Sequence, residues 1–320
     1  VNALEMARDT AKRQIDDLEQ ELFKIVGREI NYSSPPQLMK YFYGELGHKP
    51  YLKRGSRKPT IDAIALRRLA RKFPAAKLMQ EIRKISKLES TYLTIQLDSD
   101  NRLRCSFNPV GTKFGRLSSS KTIFKTGMNL QNQPQETRLF MLFDPDYIGY
   151  NMDYSQGENR IVAYAGPVPE MIEAFENKLD VHSLTASLIT GGTYSPTEIK
   201  EQDKADVKCH LGGGMYTWRY WGKKANHGLN YDLGPNSFAE YYEIEYAESK
   251  FIVDRYHQVY PGVRQGFQQQ IRDSLSKNRT VVNPMGRKIL FLDRWGDTLF
   301  KNAYASFPQS TIADMINEYG

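Results

Sequence analysis

Two carboxylates lie five residues apart near the middle of the chain, Asp153 and Glu158, in the segment Asn-Met-Asp-Tyr-Ser-Gln-Gly-Glu-Asn-Arg. The apolar run at 147–150 predicts a short β-strand that leads to Asp153, and the apolar spacing after Ser155 predicts a helix. A carboxylate at a strand end can bind Mg²⁺, which prefers oxygen ligands and shares them with substrate phosphates. An aspartate that merely caps the following helix would show the same pattern. The residues alone leave both interpretations open.

A second segment combines cations and rings at helical spacing. It contains Arg219, Lys223, His227 and Tyr231. Residues four apart lie on one face of a helix, so the set would form a stripe. Such a stripe suits a nucleotide, because lysine and arginine bind phosphates and rings stack on a base. A solvated amphipathic helix would show the same pattern. A Walker A loop is excluded, since Lys223 is followed by Lys224 instead of serine or threonine.

The first segment resembles motif A of the family A DNA polymerases, usually Asp-Tyr-Ser-Gln-Ile-Glu-Leu-Arg, at six of these eight positions. Gly157 and Asn159 stand where the family has apolar residues. We therefore expect the helix after Asp153 to pack less tightly in this chain than in the family.

The resemblance implies roles for the remaining residues of this segment. Asp153 would bind two catalytic Mg²⁺ ions, with help from the backbone carbonyl of Tyr154. Glu158 would be the steric gate beneath the sugar, where a ribose 2′-hydroxyl would clash. Gln156 would belong to the nucleotide-binding residues.

The cation and ring stripe resembles motif B of the same family, Arg-x3-Lys-x3-(Phe/Tyr)-Gly-x2-Tyr-Gly. The resemblance implies that Arg219 and Lys223 bind the triphosphate and that His227 and Tyr231 lie near the base and the sugar. His182 would assist at the triphosphate, because its segment resembles the family's Asp-(Ile/Val)-His block. In the family, the choice of Phe or Tyr at this position is linked to tolerance of 3′-deoxy terminators. Since His227 replaces that ring, the link does not extend to this chain.

Two upstream segments resemble the family's Thr-Gly-Arg-Leu-Ser-Ser and Asn-Leu-Gln-Asn-Ile-Pro blocks, which line the primer-template minor groove. Arginine, serine and amide side chains suit that place, because they can bond base edges, sugars and phosphates. A C-terminal segment resembles the family's Gln-Gly-Thr-Ala-Ala-Asp helix. The DNA-binding residues predicted from these matches are Arg116, Ser118, Ser119, Asn129, Gln131, Asn132 and Gln309.

The stretch 121–128 separates the two upstream blocks. It is longer and more basic than we expect for the family. A polar, turn-rich loop would explain the stretch itself, although it would not explain the matches on either side of it.

The N-terminal third also resembles the family, in its thumb. Residues 3–26 have apolar side chains at helical spacing, which predicts a long helix, and the basic loop 53–58 is expected to lie near phosphate. A helical pair that binds no nucleic acid would explain this third by itself. The predicted fold is an α+β right-hand polymerase, with a helical thumb and the start of the palm at 1–105, an incomplete antiparallel-sheet palm with motif A at 106–174, helical fingers with motif B at 175–275, and a return to the palm at 276–320.

Motif C of the family, His-Asp-Glu, does not occur in the sequence. Its aspartate is the other carboxylate that bridges the two metals, and one aspartate would bind a second dication poorly. We therefore expect the chain to be a poor polymerase alone. The missing motif would come from omitted residues, from beyond a truncation, or from a second chain of a split polymerase, and we favour the first two sources.

The composition is consistent with a polyanionic partner. The chain has 44 Lys and Arg against 37 Asp and Glu, a formal net charge of +7. Two cysteines are too few for a disulfide framework or a zinc site. No apolar run is long enough for a membrane span or a signal peptide, so we expect a cytoplasmic protein that binds no membrane.

The sequence therefore predicts a DNA-templated DNA polymerase core that binds primer-template DNA and dNTP. With two Mg²⁺ ions, the primer 3′-hydroxyl would attack the α-phosphate. The alternatives are a non-catalytic primer-template-binding fragment and one half of a split polymerase. A single-subunit RNA polymerase with similar motifs is disfavoured by Glu158. The departures from the motifs look phage-like, which would place the protein in a bacterial host cytoplasm.

Overall fold

The computed structural model describes residues 2–53, 56–150 and 152–319. The chain forms two compact units, Val1–Asn108 with Ser118–Tyr150, and Pro109–Leu117 with Asn151–Gly320. Because this division follows contacts within the chain alone, the four predicted subdomains stay predictions. Three residues of the predicted segments lie outside the described residues, namely Arg54 and Gly55 of the basic loop and Asn151 before Asp153.

The first unit is mainly helical, and its long first helix confirms the helix predicted at 3–26. Leu22 of that helix packs on a buried core that includes Phe42, Leu66 and Met79. Three short helical turns, Lys40–Glu45, Leu88–Leu93 and Leu130–Asn132, complete the helical structure of the unit. The elements are α1 (Asn2–Val26), α2 (Pro35–Met39), α3 (Ala63–Ala70), α4 (Pro74–Lys87), β1 (Ser106–Asn108), β2 (Ser118–Ser120) and α5 (Gln135–Arg138).

β1 and β2 form an antiparallel pair in the first unit. Ser106 lies opposite Ser120, and Phe107 lies opposite Ser119. Successive side chains of a strand point to opposite faces, so the pairing places Ser118 and Ser120 on one face and Ser119 on the other. The strand thereby fixes the direction of the serines that the sequence predicts to bind DNA.

The second unit surrounds an aromatic core in which Trp221, Phe238, Tyr256 and Phe267 are fully buried. Its remaining short helical turns are Leu211–Gly214 and Val263–Gln268. The elements are α6 (Gly157–Ala165), α7 (Pro169–Glu176), α8 (Val181–Ile189), α9 (Pro196–Lys204), α10 (Trp218–Leu229), α11 (Pro235–Tyr242), α12 (Tyr246–Val259), α13 (Gln269–Asn278), β3 (Thr280–Val282), β4 (Lys288–Leu290) and α14 (Asp297–Tyr319).

α8 and α10 pack closely against each other. A Cβ atom on Gly222 would lie 2.1 Å from the carbonyl oxygen of His182, which is far below any van der Waals contact. Only glycine therefore permits this approach of the two helices. The contact matters for function because both helices carry predicted nucleotide-binding residues.

The β3–β4 hairpin is held to α14 by an ion pair. Arg287 Nε donates to Asp314 Oδ1 at 2.9 Å, and Asn283 Nδ2 donates to Asp314 Oδ2 at 2.8 Å. The described strands form two small antiparallel sheets among many helices, which confirms the predicted α+β class. No described helix has the length and apolar character that a membrane crossing requires.

The strand predicted at 147–150 is absent. These residues have no regular secondary structure, and Tyr147 and Tyr150 are both largely exposed. A strand needs a neighbour to satisfy its backbone N–H and C=O groups. No described residue pairs with this segment, so the apolar run alone does not form a strand.

Candidate active site

α10 carries the first three residues of the predicted stripe. Arg219, Lys223 and His227 occupy successive turns, and the side chains of Lys223 and His227 are exposed. Tyr231 lies two residues beyond Leu229, where the helix ends. Its ring still contacts that of His227, with centroids 5.9 Å apart. The predicted helix face is thus confirmed for Arg219, Lys223 and His227. Tyr231 lies beyond the helix but next to His227.

Arg219 is engaged by an aspartate at the start of α8. Its Nε donates to Asp180 Oδ2 at 2.7 Å and its Nη2 donates to Oδ1 at 3.1 Å. Asp180 also caps α8, since it accepts from the backbone N–H of Ser183 at 3.0 Å. Burial opposes ionisation of Asp180, but the hydrogen bonds from Arg219 and Ser183 prevail and lower its pKa to about 2. Arg219 therefore holds α8 to α10.

Lys223 differs from Arg219 in its surroundings. It forms no ion pair or hydrogen bond with any described residue, and its side chain is exposed. Its ammonium group is thus available to an anionic ligand without loss of an internal contact. Within the stripe, Lys223 is the better candidate for direct phosphate binding.

His182 lies on α8 next to the cationic face of α10. Asn226 Nδ2 donates to His182 Nδ1 at 3.1 Å, and Asn226 also donates to Thr185 Oγ1 at 2.9 Å. With Nδ1 accepting, the ring proton lies on Nε2. Burial lowers the pKa of His182 to about 4; nearby Asp180 opposes this fall, and neighbouring cations such as Lys223 add to it.

The imidazole of His182 is consequently neutral at pH 7, with Nε2 free to donate a hydrogen bond. Asn226, which sets this orientation, was not predicted from the sequence. It lies one turn after Lys223, and the available signal was an asparagine inside a helical pattern, where this residue is unfavourable. In the structure Asn226 is buried.

Glu158 joins the two predicted motifs. The Tyr231 hydroxyl donates to Glu158 Oε2 at 2.6 Å, and Arg116 donates to the other carboxylate oxygen. Burial raises the pKa of Tyr231, and the adjacent Glu158 raises it further, so the hydroxyl remains a donor throughout the physiological range. Both oxygens of the Glu158 carboxylate are therefore held, and the side chain is fixed beside the stripe.

Asp153 is exposed and forms no hydrogen bond or ion pair with any described residue. The residue at the N-cap of α6 is Gln156, in the left-handed conformation with φ of 56°, so the interpretation of Asp153 as a helix cap is wrong. Gln156 Oε1 is buried without a hydrogen-bond partner, as expected for an atom that a ligand would complete.

The helix after Asp153 has close contacts at both positions where the sequence departs from motif A. A Cβ atom on Gly157 would lie 2.8 Å from Ile312 Cδ1, so a larger residue would require the Ile312 side chain to shift. Asn159 is buried, and its Oδ1 accepts from Asn230 Nδ2 at 2.7 Å. The polar residue is thus satisfied inside the core, where an apolar residue would leave Asn230 without this partner.

The predicted DNA-binding residues of the first unit lie together. Ser119 Oγ donates to Asn129 Oδ1 at 2.8 Å, and the same oxygen accepts from the backbone N–H of Gln131 at 2.9 Å. Ser118 is partly exposed on β2, and Asn132 is exposed. Two further predicted residues belong to the second unit: Arg116, which contacts Glu158, and Gln309, which is partly buried on α14.

The oxygen donors at Asp153 and Tyr154 suit Mg²⁺, although the described residues do not form a complete metal site. No group of three or more His, Cys, Asp or Glu side chains arranged for a metal occurs among the described residues. Mg²⁺ is commonly held by one or two carboxylates, with water and substrate phosphates as its other ligands. The unpaired Asp153 carboxylate and the Tyr154 carbonyl fit that requirement for an ion shared with a substrate.

The fold is that of a nucleic acid polymerase domain. The structure superposes on a solved structure, the POL domain of Pol1 from M. smegmatis in complex with DNA primer-template and dNTP, with a TM-score of 0.79 and 26% identity. The match covers 98% of this chain and 54% of that one. The sequence model of DNA polymerase family A matches residues 1–317, and the chain belongs to this family.

Curated relatives agree with this assignment. DNA polymerase I of Treponema pallidum is 30% identical over 283 residues, which is 86% of this chain and 26% of the relative. DNA polymerase I of Geobacillus stearothermophilus is 28% identical over 275 residues, 82% of this chain and 29% of the relative. The chain thus spans between a quarter and a third of the length of these relatives.

Proposed function

We propose that this chain is the polymerase portion of a DNA-templated DNA polymerase, which adds a dNTP to the 3′-hydroxyl of a primer. The observation that carries this proposal is the joining of the two motifs through Glu158 and Tyr231, beside the cationic face of α10. The site then offers a fixed carboxylate for the sugar, two rings for the base and a free ammonium group for the triphosphate. The similar M. smegmatis protein was solved with primer-template and dNTP.

Lys223 and His182 are the proposed direct ligands of the triphosphate. The ammonium group of Lys223 has no competing partner among the described residues, and the neutral His182 ring presents Nε2–H. Arg219 adds positive potential while it holds Asp180. His227 and Tyr231 would lie against the base and the sugar, and Gln156 would use its unpartnered amide oxygen.

Glu158 is proposed to exclude ribonucleotides. Because Tyr231 and Arg116 hold its two oxygens, the carboxylate cannot rotate away from an extra hydroxyl without loss of a charge-assisted hydrogen bond. A fixed obstacle discriminates better than a mobile one. The arrangement therefore explains how a flexible glutamate side chain can act as a steric gate.

Asp153 and the carbonyl of Tyr154 are proposed to hold two Mg²⁺ ions together with the substrate phosphates. Bound Mg²⁺ would lower the pKa of the primer hydroxyl and stabilise the charge that develops on pyrophosphate. The exposed, unpaired state of Asp153 supports this role, because its carboxylate is not committed elsewhere. Primer-template DNA would contact the predicted serine and amide residues near β2, with Arg116 and Gln309.

Primer extension tests the proposed function. The purified protein is mixed with a primed template, Mg²⁺ and either one or all four dNTPs, and products are resolved by length. Extension that follows the template sequence supports the polymerase. Tight binding of the primed template with little or no extension would agree with the absence of motif C, and it would then leave a non-catalytic DNA-binding fragment or one half of a split polymerase as the alternatives. Absence of primed-template binding would contradict the proposal.

A further inference from the structure

A tight turn at Thr122–Thr126, here called the 122–126 turn, presents two large apolar side chains to solvent. Ile123 is 86% exposed and Phe124 is 77% exposed. The two residues are adjacent at the tip of the turn. Together they form a small apolar patch that a partner could cover.

The 122–126 turn is rigid because several hydrogen bonds close it. The N–H of Thr122 donates to the carbonyl of Thr126 at 2.9 Å, and the N–H of Lys125 donates to the carbonyl of Thr122 at 2.9 Å. The two threonine hydroxyls are 2.7 Å apart. The Thr126 hydroxyl also bonds the carboxylate of Asp98, and together with Arg104 it lowers the pKa of Asp98.

The base of the turn is fixed to the preceding segment of the same unit. The N–H of Gly127 donates to the carbonyl of Gln96 at 2.7 Å. Gly127 has a φ of +72°, and a Cβ atom there would lie 1.8 Å from the carbonyl oxygen of Arg104. The apolar tip is therefore held in place before any partner binds, which reduces the entropy lost on binding.

The charges around the turn favour a polyanion. The stretch 101–135 contains no Asp or Glu. Lys121 and Lys125 flank the apolar pair, and neither forms an ion pair with a described residue. Arg102 and Arg104 of the same unit are instead paired with Asp144, Asp98 and Asp100, so Lys121 and Lys125 are the cations that a ligand of the turn would meet.

We propose that the 122–126 turn is an additional contact for the minor groove of duplex DNA, in which Ile123 and Phe124 touch sugars and base edges while Lys121 and Lys125 bind phosphates. Proteins that bind the minor groove frequently combine Lys and Arg contacts with apolar side chains that wedge between base steps. The turn also follows β2 closely in the chain, and Asn129 comes shortly after it. The inference rests on the proposed function, because the duplex would be the primer-template.

The test compares two double variants of the full chain for binding to a fluorescent primer-template at several salt concentrations. Ile123→Ala/Phe124→Ala should bind about tenfold more weakly with the same salt dependence, because the lost contact is apolar. Lys121→Ala/Lys125→Ala should also bind more weakly. Its affinity should depend less steeply on salt, with a slope of log affinity against log salt that is less negative by about 1.8. Phe251→Ala, which removes an exposed phenylalanine from α12, is the matched control and should bind like the parent.

A dye bound in the minor groove of an A·T-rich primer-template locates the contact. The parent should displace the dye more effectively than Ile123→Ala/Phe124→Ala does. If both double variants bind the duplex like the parent, the proposal is wrong and the turn serves another partner, such as a protein. If the parent itself does not bind primer-template, the proposed function fails first, so the two failures are distinguishable.

Discussion

Replacement of Arg219 and replacement of Lys223 should have different consequences, although the two residues are adjacent on one helix face. Arg219 is bound to Asp180, whose side chain is only 10% exposed, whereas Lys223 has no partner among the described residues. Arg219→Ala should therefore destabilise the second unit, and Lys223→Ala should leave its stability unchanged. Both variants should use nucleotide less well.

The size of the stability effect follows from the pKa of Asp180. Its fall from 3.8 to about 2 corresponds to about 2 kcal/mol, at roughly 1.4 kcal/mol for each pKa unit, and this is an upper bound for Arg219 because Ser183 also lowers the pKa. Because the folded state has the lower pKa, this stabilisation is present above about pH 4 and is lost as the pH falls towards 2. Arg219→Ala should thus unfold at lower denaturant concentration at pH 7, and the difference from the parent should shrink in acid.

Urea unfolding followed by circular dichroism at pH 7 and at pH 3 measures this effect, with Lys223→Ala as the matched control. At pH 7 the parent and Lys223→Ala should unfold at the same urea concentration, and Arg219→Ala should unfold at a lower one. Equal unfolding midpoints for all three proteins would refute the assignment of Arg219 as the link between α8 and α10.

The functional half of the comparison uses separate titrations of dNTP and primer-template. A charge-assisted hydrogen bond contributes roughly 1.5–3 kcal/mol, so Lys223→Ala should weaken nucleotide use by on the order of ten- to a hundredfold. DNA affinity should change far less. Loss of DNA affinity with unchanged nucleotide affinity would show that α10 faces the duplex instead of the triphosphate.

Three further predictions concern the carboxylates. In the complete enzyme, with motif C present, Asp153→Ala should abolish nucleotide incorporation but preserve primer-template binding, since metal ligands serve the chemistry; retained extension would remove Asp153 from that role. Glu158→Ala should admit ribonucleotides with a smaller loss for dNTP, and an unchanged ratio of NTP to dNTP incorporation in single turnovers would exclude the gate. Tyr231→Phe removes one of the two hydrogen bonds that hold Glu158. Its ratio of NTP to dNTP incorporation should therefore lie between the ratios of the parent and of Glu158→Ala. A ratio equal to that of the parent would mean that Arg116 alone fixes the carboxylate.

The sequence predicted the parts of the site that depend on local spacing. Residues four apart share a helix face whatever surrounds them, so the stripe on α10 could be recognised directly. The partner of Arg219 could not be found in this way, because Asp180 lies 39 residues away and meets Arg219 only when α8 packs on α10. The same limit applies to Asn226 and its contact with His182.

Predictions that depended on distant neighbours were the ones that failed. The strand at 147–150 was inferred from an apolar run, but strands require pairing that no local pattern supplies. The packing at Gly157 and Asn159 likewise depends on Ile312 and Asn230, which lie far along the chain and which no local pattern identifies. Tertiary contacts decided both cases.

The central claim is that the chain selects a dNTP according to the template base. A primer that ends in a 3′-dideoxynucleotide prevents addition, so binding can be measured without catalysis. In the presence of Mg²⁺, fluorescence anisotropy is used to measure primer-template affinity with each dNTP in turn. The complementary dNTP should tighten the complex, the other three should not, and Lys223→Ala should lose the effect. An equal response to all four nucleotides, or none while DNA remains bound, would contradict the claim.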